Sequence, residues 1–266
     1  MPQKYATIPT SDDEQGQGSM PEAPPGYGQA AAGGETYENE DDYRKFGENV
    51  ADCSIGLRHA FIRKVYTILF GQLMLTSVVS AVFMFATPVR NWIQSNTWMI
   101  WVSLIGSLVF LGLSFWKSRQ YPLNIAFVTC FTLFEAYTVG VITSFYEQKI
   151  VLEALLITAV IFAGLTLFSF QTKYDFTGFA PYLFGGLWLL IGFGFVAMFF
   201  PASSGMELAY SIIATIIFSG YIIVDTQMII KHYHYEEEVA ASISLYLDII
   251  NLFLNILRIL NSQSDN

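Results

Sequence analysis

Residues Tyr210–Leu260 read YSIIATIIFSGYIIVDTQMIIKHYHYEEEVAASISLYLDIINLFLNILRIL, and this stretch decides the fold. Two apolar runs, 207–230 and 240–260, flank a short polar segment, Lys231–Val239. About 20 apolar residues at 1.5 Å each cross a hydrocarbon core of roughly 30 Å, so each run is of spanning length. Each also carries a carboxylate that lipid does not tolerate without a reason, Asp225 in the first and Asp248 in the second. Asp225 precedes Lys231 by about 9 Å of helix, and Asp248 lies roughly 13 Å into the next helix from the same side. Two antiparallel neighbours joined by a short loop therefore bring both carboxylates to a similar depth.

Outward from this pair the pattern repeats. Further apolar runs cover 65–86, 97–116, 122–145, 150–170 and 178–200, separated by short polar segments such as Thr87–Asn96, Lys117–Tyr121 and Gln171–Thr177. The expected architecture is an all-α membrane protein, a bundle of seven transmembrane helices. The last run is the least apolar, because it holds Asp248, Asn251, Asn255 and Arg258. It either crosses the membrane or dips in and returns, and the side of the C-terminus depends on which.

Composition agrees. Of 266 residues, 53% are hydrophobic and only 13% charged, about half the charge of an average soluble domain. The net charge of −9 argues against nucleic acid, whose phosphates require a basic surface. Residues 1–50 hold ten acids against three bases, with Pro, Gly and Gln and no apolar periodicity. They are expected to form a disordered, acidic cytosolic tail ahead of a membrane domain at 51–266. Arg58, Arg63, Lys64, Lys117, Arg119, Lys173 and Lys231 fall on one side of the seven-helix topology, and only Arg90 and Lys149 on the other. That bias places the N-terminus in the cytosol.

Polar residues inside the spans are the candidate functional groups. On the sixth run Ser211, Thr215, Ser219 and Asp225 share one helical sector, as do Asp248, Asn251, Asn255 and Arg258 on the seventh. Facing polar stripes suggest a polar path or a hydrogen-bonded seam, and a structural tie between helices is the plainer reading. Close carboxylates in low dielectric do not both ionise cheaply, so one proton is shared between them. The same pair is a hard-oxygen site suited to Ca²⁺, which makes a proton-versus-calcium switch chemically natural. Glu135, within FTLFEAYTVG (131–140), is a further intramembrane carboxyl, read equally as a pore-lining group or a protonated helix tie. In the tail, Pro24, Pro25 and Tyr27 fit the P-P-x-Y pattern that WW domains read, as in a WW-domain ubiquitin ligase.

Several seven-helix classes are excluded. A retinal protein needs a lysine in its last helix, and 240–260 has none. Intramembrane proteases need histidine clusters or a histidine base, which the spans lack. No enzyme is expected, and no cofactor beyond calcium as a permeant or bound ion.

Three segments carry a specific resemblance: FSFQTKYDFTGFAPYLF (168–184), YSIIATIIFSGYIIVDTQMII (210–230) and SLYLDIINLFLNILRIL (244–260). They closely resemble the Bax inhibitor family, the proteins containing a transmembrane Bax inhibitor motif, and its lifeguard branch in particular. The resemblance covers roughly 58–262 and leaves the tail unmatched. It implies a seven-helix bundle with the last helix central, and a di-aspartyl pH sensor on Asp225 and Asp248. It also implies a calcium leak across internal membranes (endoplasmic reticulum, Golgi or vacuole), suppression of cell death and stress responses, and Bcl-2-type regulators as partners. Bacterial relatives pair an arginine at the cytosolic end of the second helix with the first aspartate. Here that place reads Phe115-Trp116-Lys117-Ser118-Arg119, which leaves Lys117 or Arg119 as the latch. Two function classes follow: a pH-gated calcium leak, or a non-conducting membrane regulator acting through protein partners, with the aspartates purely structural.

Overall fold

The structure is a computed structural model that describes residues 50, 55–118, 120–200, 203–234 and 236–264. The tail, including Pro24, Pro25 and Tyr27, lies outside the described residues, as does Arg119. The helices are α1 (Ile55–Phe85), α2 (Thr87–Ser95), α3 (Met99–Trp116), α4 (Leu123–Thr143), α5 (Gln148–Gln171), α6 (Ala180–Phe199), α7 (Ser204–Lys231) and α8 (Glu238–Ser264). A 3₁₀ turn, Thr177–Phe179, leads into α6. Seven of them, all but α2, are long and apolar enough to cross a membrane. The protein is a multi-pass membrane protein.

One expectation needs correction, and one open alternative closes. The segment 87–96 is not a loop: Pro88 sits in the first turn of α2, where its missing N–H costs nothing, and Ile93 is buried beneath it. The last run, left open above between crossing and dipping in and returning, has the form of a crossing helix. It is one unbroken helix of 27 residues, about 40 Å long, enough to span.

Helix α4 packs against both α1 and α3, α7 packs against both α5 and α6, and α8 lies against α1, α3, α4, α5 and α7. Its side chains supply much of the core: Val239, Ala241, Ile243, Leu245, Tyr246, Leu252 and Leu257 are fully buried. Close approach elsewhere relies on small residues. A Cβ on Gly106 would stand 2.7 Å from the Phe134 ring, and one on Gly140 would stand 2.8 Å from Phe83. Helices in lipid gain little from burying apolar surface, so such close contact supplies the attraction instead.

Several hydroxyls within the spans bond to their own helix. Thr76 donates to Gln72 O, Thr132 to Val128 O and Thr158 to Ala154 O, which spares each the cost of an unpaired donor in hydrocarbon. Exposed aromatics mark two belts. Trp92, Trp98 and Trp101 lie at one end, and Trp116, Tyr121, Tyr174 and Tyr182 at the other, as amphipathic rings do at membrane–water interfaces.

Candidate functional site

Asp225 and Asp248 meet. Their carboxyls interact side by side across the α7–α8 contact, with Asp248 only 6% exposed. The cause is local: α7 ends at Lys231 and α8 begins at Glu238, so the turn is too short to let the helices separate. Ile222, Val224, Leu245 and Ile249 are buried on the same two helices. One oxygen of Asp248, Oδ2, is buried without a hydrogen-bond partner. The hydroxyls of Tyr221 and Tyr233 lie within electrostatic reach of both carboxyls. Burial, above all, and the fields of Asp225, Glu237 and Asp248 push the Tyr233 hydroxyl up to about 12, so it stays neutral. It shares a 3.3 Å hydrogen bond with Ser244.

This end of the bundle is closed by two residues that sequence reasoning passed over. Gln227, 1% exposed, donates to Tyr174 O (2.8 Å) and accepts from Phe176 N (2.7 Å), stitching the α5–α6 connection to α7. Val50 N donates to Tyr233 O at 2.8 Å, which ties the chain before α1 to the α7–α8 turn. Lys231 reaches Asp175 at 3.8 Å. Lys117 places its ammonium 5.0 Å from the centroid of the Trp116 ring.

The remaining stripe residues do not form one seam. Thr215 donates to Ser211 O, Asn251 to Leu247 O and Asn255 to Asn251 O, each within its own helix. Ser219 is half-buried and Arg258 is exposed. Glu135 is drawn elsewhere: its carboxyl lies beside Ser107 of α3, whose hydroxyl donates to Leu104 O at 3.0 Å, and within electrostatic reach of Tyr246.

A second buried polar cluster surrounds that point. The Tyr246 and Thr76 hydroxyls share a 2.8 Å bond, and Gln72 Nε2 donates to Thr132 at 3.1 Å. Gln72 Oε1 is buried without a partner. A glutamine amid an apolar span was a visible signal. Tyr246 was not, because nothing in sequence tells a buried tyrosine from an interfacial one.

Among the described residues no three His, Cys, Asp or Glu side chains converge as a metal cluster. Any cation at the aspartate pair would rest on two carboxyls and neighbouring hydroxyls.

Fold and site together define a class: a seven-helix membrane protein whose central last helix shares a buried carboxyl pair with the helix before it. The family model described as "Inhibitor of apoptosis-promoting Bax1" matches residues 58–265. The chain belongs to the Bax inhibitor family. It is 35% identical to Bax inhibitor 1 of Schizosaccharomyces pombe over 266 residues, 100% of this chain and 99% of that protein. It is 39% identical to Protein lifeguard 4 of Mus musculus over 243 residues, 91% of this chain and 98% of the other. The Golgi anti-apoptotic protein of Vaccinia virus is 38% identical over 221 residues, 83% of this chain and 92% of the viral one.

Proposed function

We propose that this protein suppresses cell death by regulating calcium across an internal membrane, as a pH-sensitive leak governed by Asp225 and Asp248. The observation that carries the reading is the pairing of these two carboxyls inside the bundle. Held this close in low dielectric they do not both ionise cheaply, so one proton is shared between them and a hydrogen bond forms across it. With that proton present, the pair carries a single charge and ties α7 to α8. Without it, two anions face each other in a nearly dry site, and they either separate or take Ca²⁺ as counter-charge. Two carboxyls offer fewer oxygens than the six to eight that Ca²⁺ prefers, which favours passage over storage. Lys117 and Arg119 are the candidate cations for the charge that remains.

The relatives' names support the cellular side of the reading. One is called a Bax inhibitor and another a Golgi anti-apoptotic protein. A multi-pass protein of the endoplasmic reticulum, Golgi or vacuole with a cytosolic N-terminus fits both those names and the basic-residue bias. From the tail, Pro24, Pro25 and Tyr27 would recruit a WW-domain ubiquitin ligase, and Bcl-2-type regulators are the natural membrane partners.

The test is calcium efflux from liposomes holding the purified protein, followed across pH. Asp225→Asn and Asp248→Asn each remove a charge at nearly constant shape. Each should flatten the pH profile, and the double variant should add little, because coupled sites act as a unit. Wild-type profiles in both variants would make the aspartates a structural tie. No efflux from the wild type at any pH would leave a non-conducting regulator that acts through partners.

A further inference from the structure

We propose that a cavity at the opposite end of the bundle from the aspartates holds the head group of a zwitterionic membrane phospholipid. The cavity measures about 790 Å³ and opens between the α4–α5 turn and the ends of α6, α7 and α8. That size suits a small organic group. Glu207, in the first turn of α7, lies about 27 Å along the helix from Asp225, at the depth where head groups sit.

Four features of the lining select the ligand. Arg258 and Glu207 both face the cavity, so it offers a guanidinium and a carboxylate in one space. A guanidinium fork matches two phosphate oxygens. The carboxylate, with the rings of Tyr146 and Tyr210 in the same lining, suits a quaternary or primary ammonium. Tyr210 is held by stacking on Phe193, with centroids 5.3 Å apart and planes 22° apart, so this wall is preformed.

Ser211 supplies the independent sign of a missing partner. It lines the cavity at 1% exposure, and its Oγ has no hydrogen bond. A buried hydroxyl left unpaired costs about 1–3 kcal/mol, and a phosphate or ester oxygen would satisfy it. Beside the cavity, Met198, Phe199 and Met206 are exposed apolar side chains, a surface for acyl chains rather than for water. Free phosphate shares the Arg258 chemistry but would meet Glu207 with no ammonium to offset it. The balanced charges therefore favour the zwitterion.

The experiment uses full-length protein, purified in detergent and stripped of lipid, with native mass spectrometry as readout. Phosphatidylcholine, phosphatidylethanolamine, phosphatidylglycerol and inorganic phosphate are added in turn. Wild type should retain the two zwitterionic lipids in preference to phosphatidylglycerol, and should not retain phosphate. Arg258→Gln should weaken retention of every phospholipid by about tenfold or more. Glu207→Gln should instead move the preference toward phosphatidylglycerol. Unchanged thermal unfolding of the lipid-free variants shows that they remain folded, and Ser211→Ala gives a third, smaller loss if either charge variant does not. Equal retention of phosphatidylcholine by wild type and folded Arg258→Gln overturns the proposal. So does retention of inorganic phosphate alone, which would make this a free-anion site.

Discussion

Helices α8 and α6 have similar mean hydropathy, 1.7 and 1.9 in their most apolar windows, yet occupy opposite environments. In α8, 61% of that window is buried, and in α6 only 6%. The difference follows polarity. Asp248, Asn251 and Asn255 lie on α8, whereas α6 carries no charged side chain and shows Leu189, Trp188 and Phe195 to the outside. Lipid solvates leucine as well as a protein core does, so hydrophobicity does not choose the interior. Groups that lipid cannot solvate do. A membrane bundle is therefore sorted by its polar residues, and its most water-like helix becomes the central one.

The largest expected effect comes from truncating side chains on the two helices. Tyr246→Ala removes a fully buried ring from α8, together with its bond to Thr76, and stands edge-on to Phe131. Loss of about 3–5 kcal/mol is expected, as for other large aromatic truncations. Leu189→Ala on α6 removes a side chain that is 77% exposed and should change stability by under about 0.5 kcal/mol. Unfolding in mixed detergent measures both. Equal losses would mean that α6 is packed against something this bundle does not contain, and the contrast would collapse.

The same contrast can be drawn within a single helix. Gly106→Ala on α3 drives a methyl to 2.7 Å from Phe134, whereas Gly112→Ala meets nothing within 4 Å. The first should cost about 1–3 kcal/mol through overpacking. The second should be neutral, or stabilising by up to about 1 kcal/mol through helix propensity. A destabilising Gly112→Ala would show that α3 has a second packed face.

A further substitution separates the end of the bundle at the α5–α6 connection from the helices themselves. Gln227→Ala removes both bonds to the α5–α6 connection, a loss of about 1–2 kcal/mol at typical net values. Backbone exchange at Phe176 should accelerate, while the α8 core stays protected. If α8 exchange rises in parallel, the connection and the core open as one unit.

How much of this was legible depends on which kind of interaction each feature uses. Span number and approximate limits were readable because membrane thickness sets a length that any apolar run either meets or misses. The meeting of Asp225 and Asp248 was readable because a short turn fixes relative depth. Helix α2 was missed, since TPVRNWIQS has the polarity of a loop and becomes a helix only by burying Ile93. Gln227 was missed because its role depends on a partner segment some fifty residues away, and no local pattern announces that. The roles of Glu135 and Arg258 depended on helix rotation, which apolar runs without amphipathic periodicity do not reveal.

The smallest expected effect concerns the approach to α6. Asp175 accepts hydrogen bonds from Thr177 N (3.0 Å) and Thr177 Oγ1 (2.6 Å). These bonds, more than the nearby Lys231 and His232, hold its carboxyl below the ordinary aspartate range. A carboxyl depressed in the folded state stabilises fully above its unfolded value, about 3.9, and the contribution is lost as pH falls through the lower folded value. The group is fully exposed, so water screens it, and the global stability change should be small. The Thr177 amide resonance in detergent micelles should therefore titrate below the ordinary aspartate value, and Asp175→Asn should abolish that titration. Resonances of Leu252 and Leu257 in α8 should not move over the same range, because both side chains are fully buried far from this turn. A Thr177 titration at or above the ordinary value would mean that the turn at Asp175 does not persist in solution. Movement of the α8 resonances in step with it would join the outer and central helices in one response and remove the distinction drawn between them.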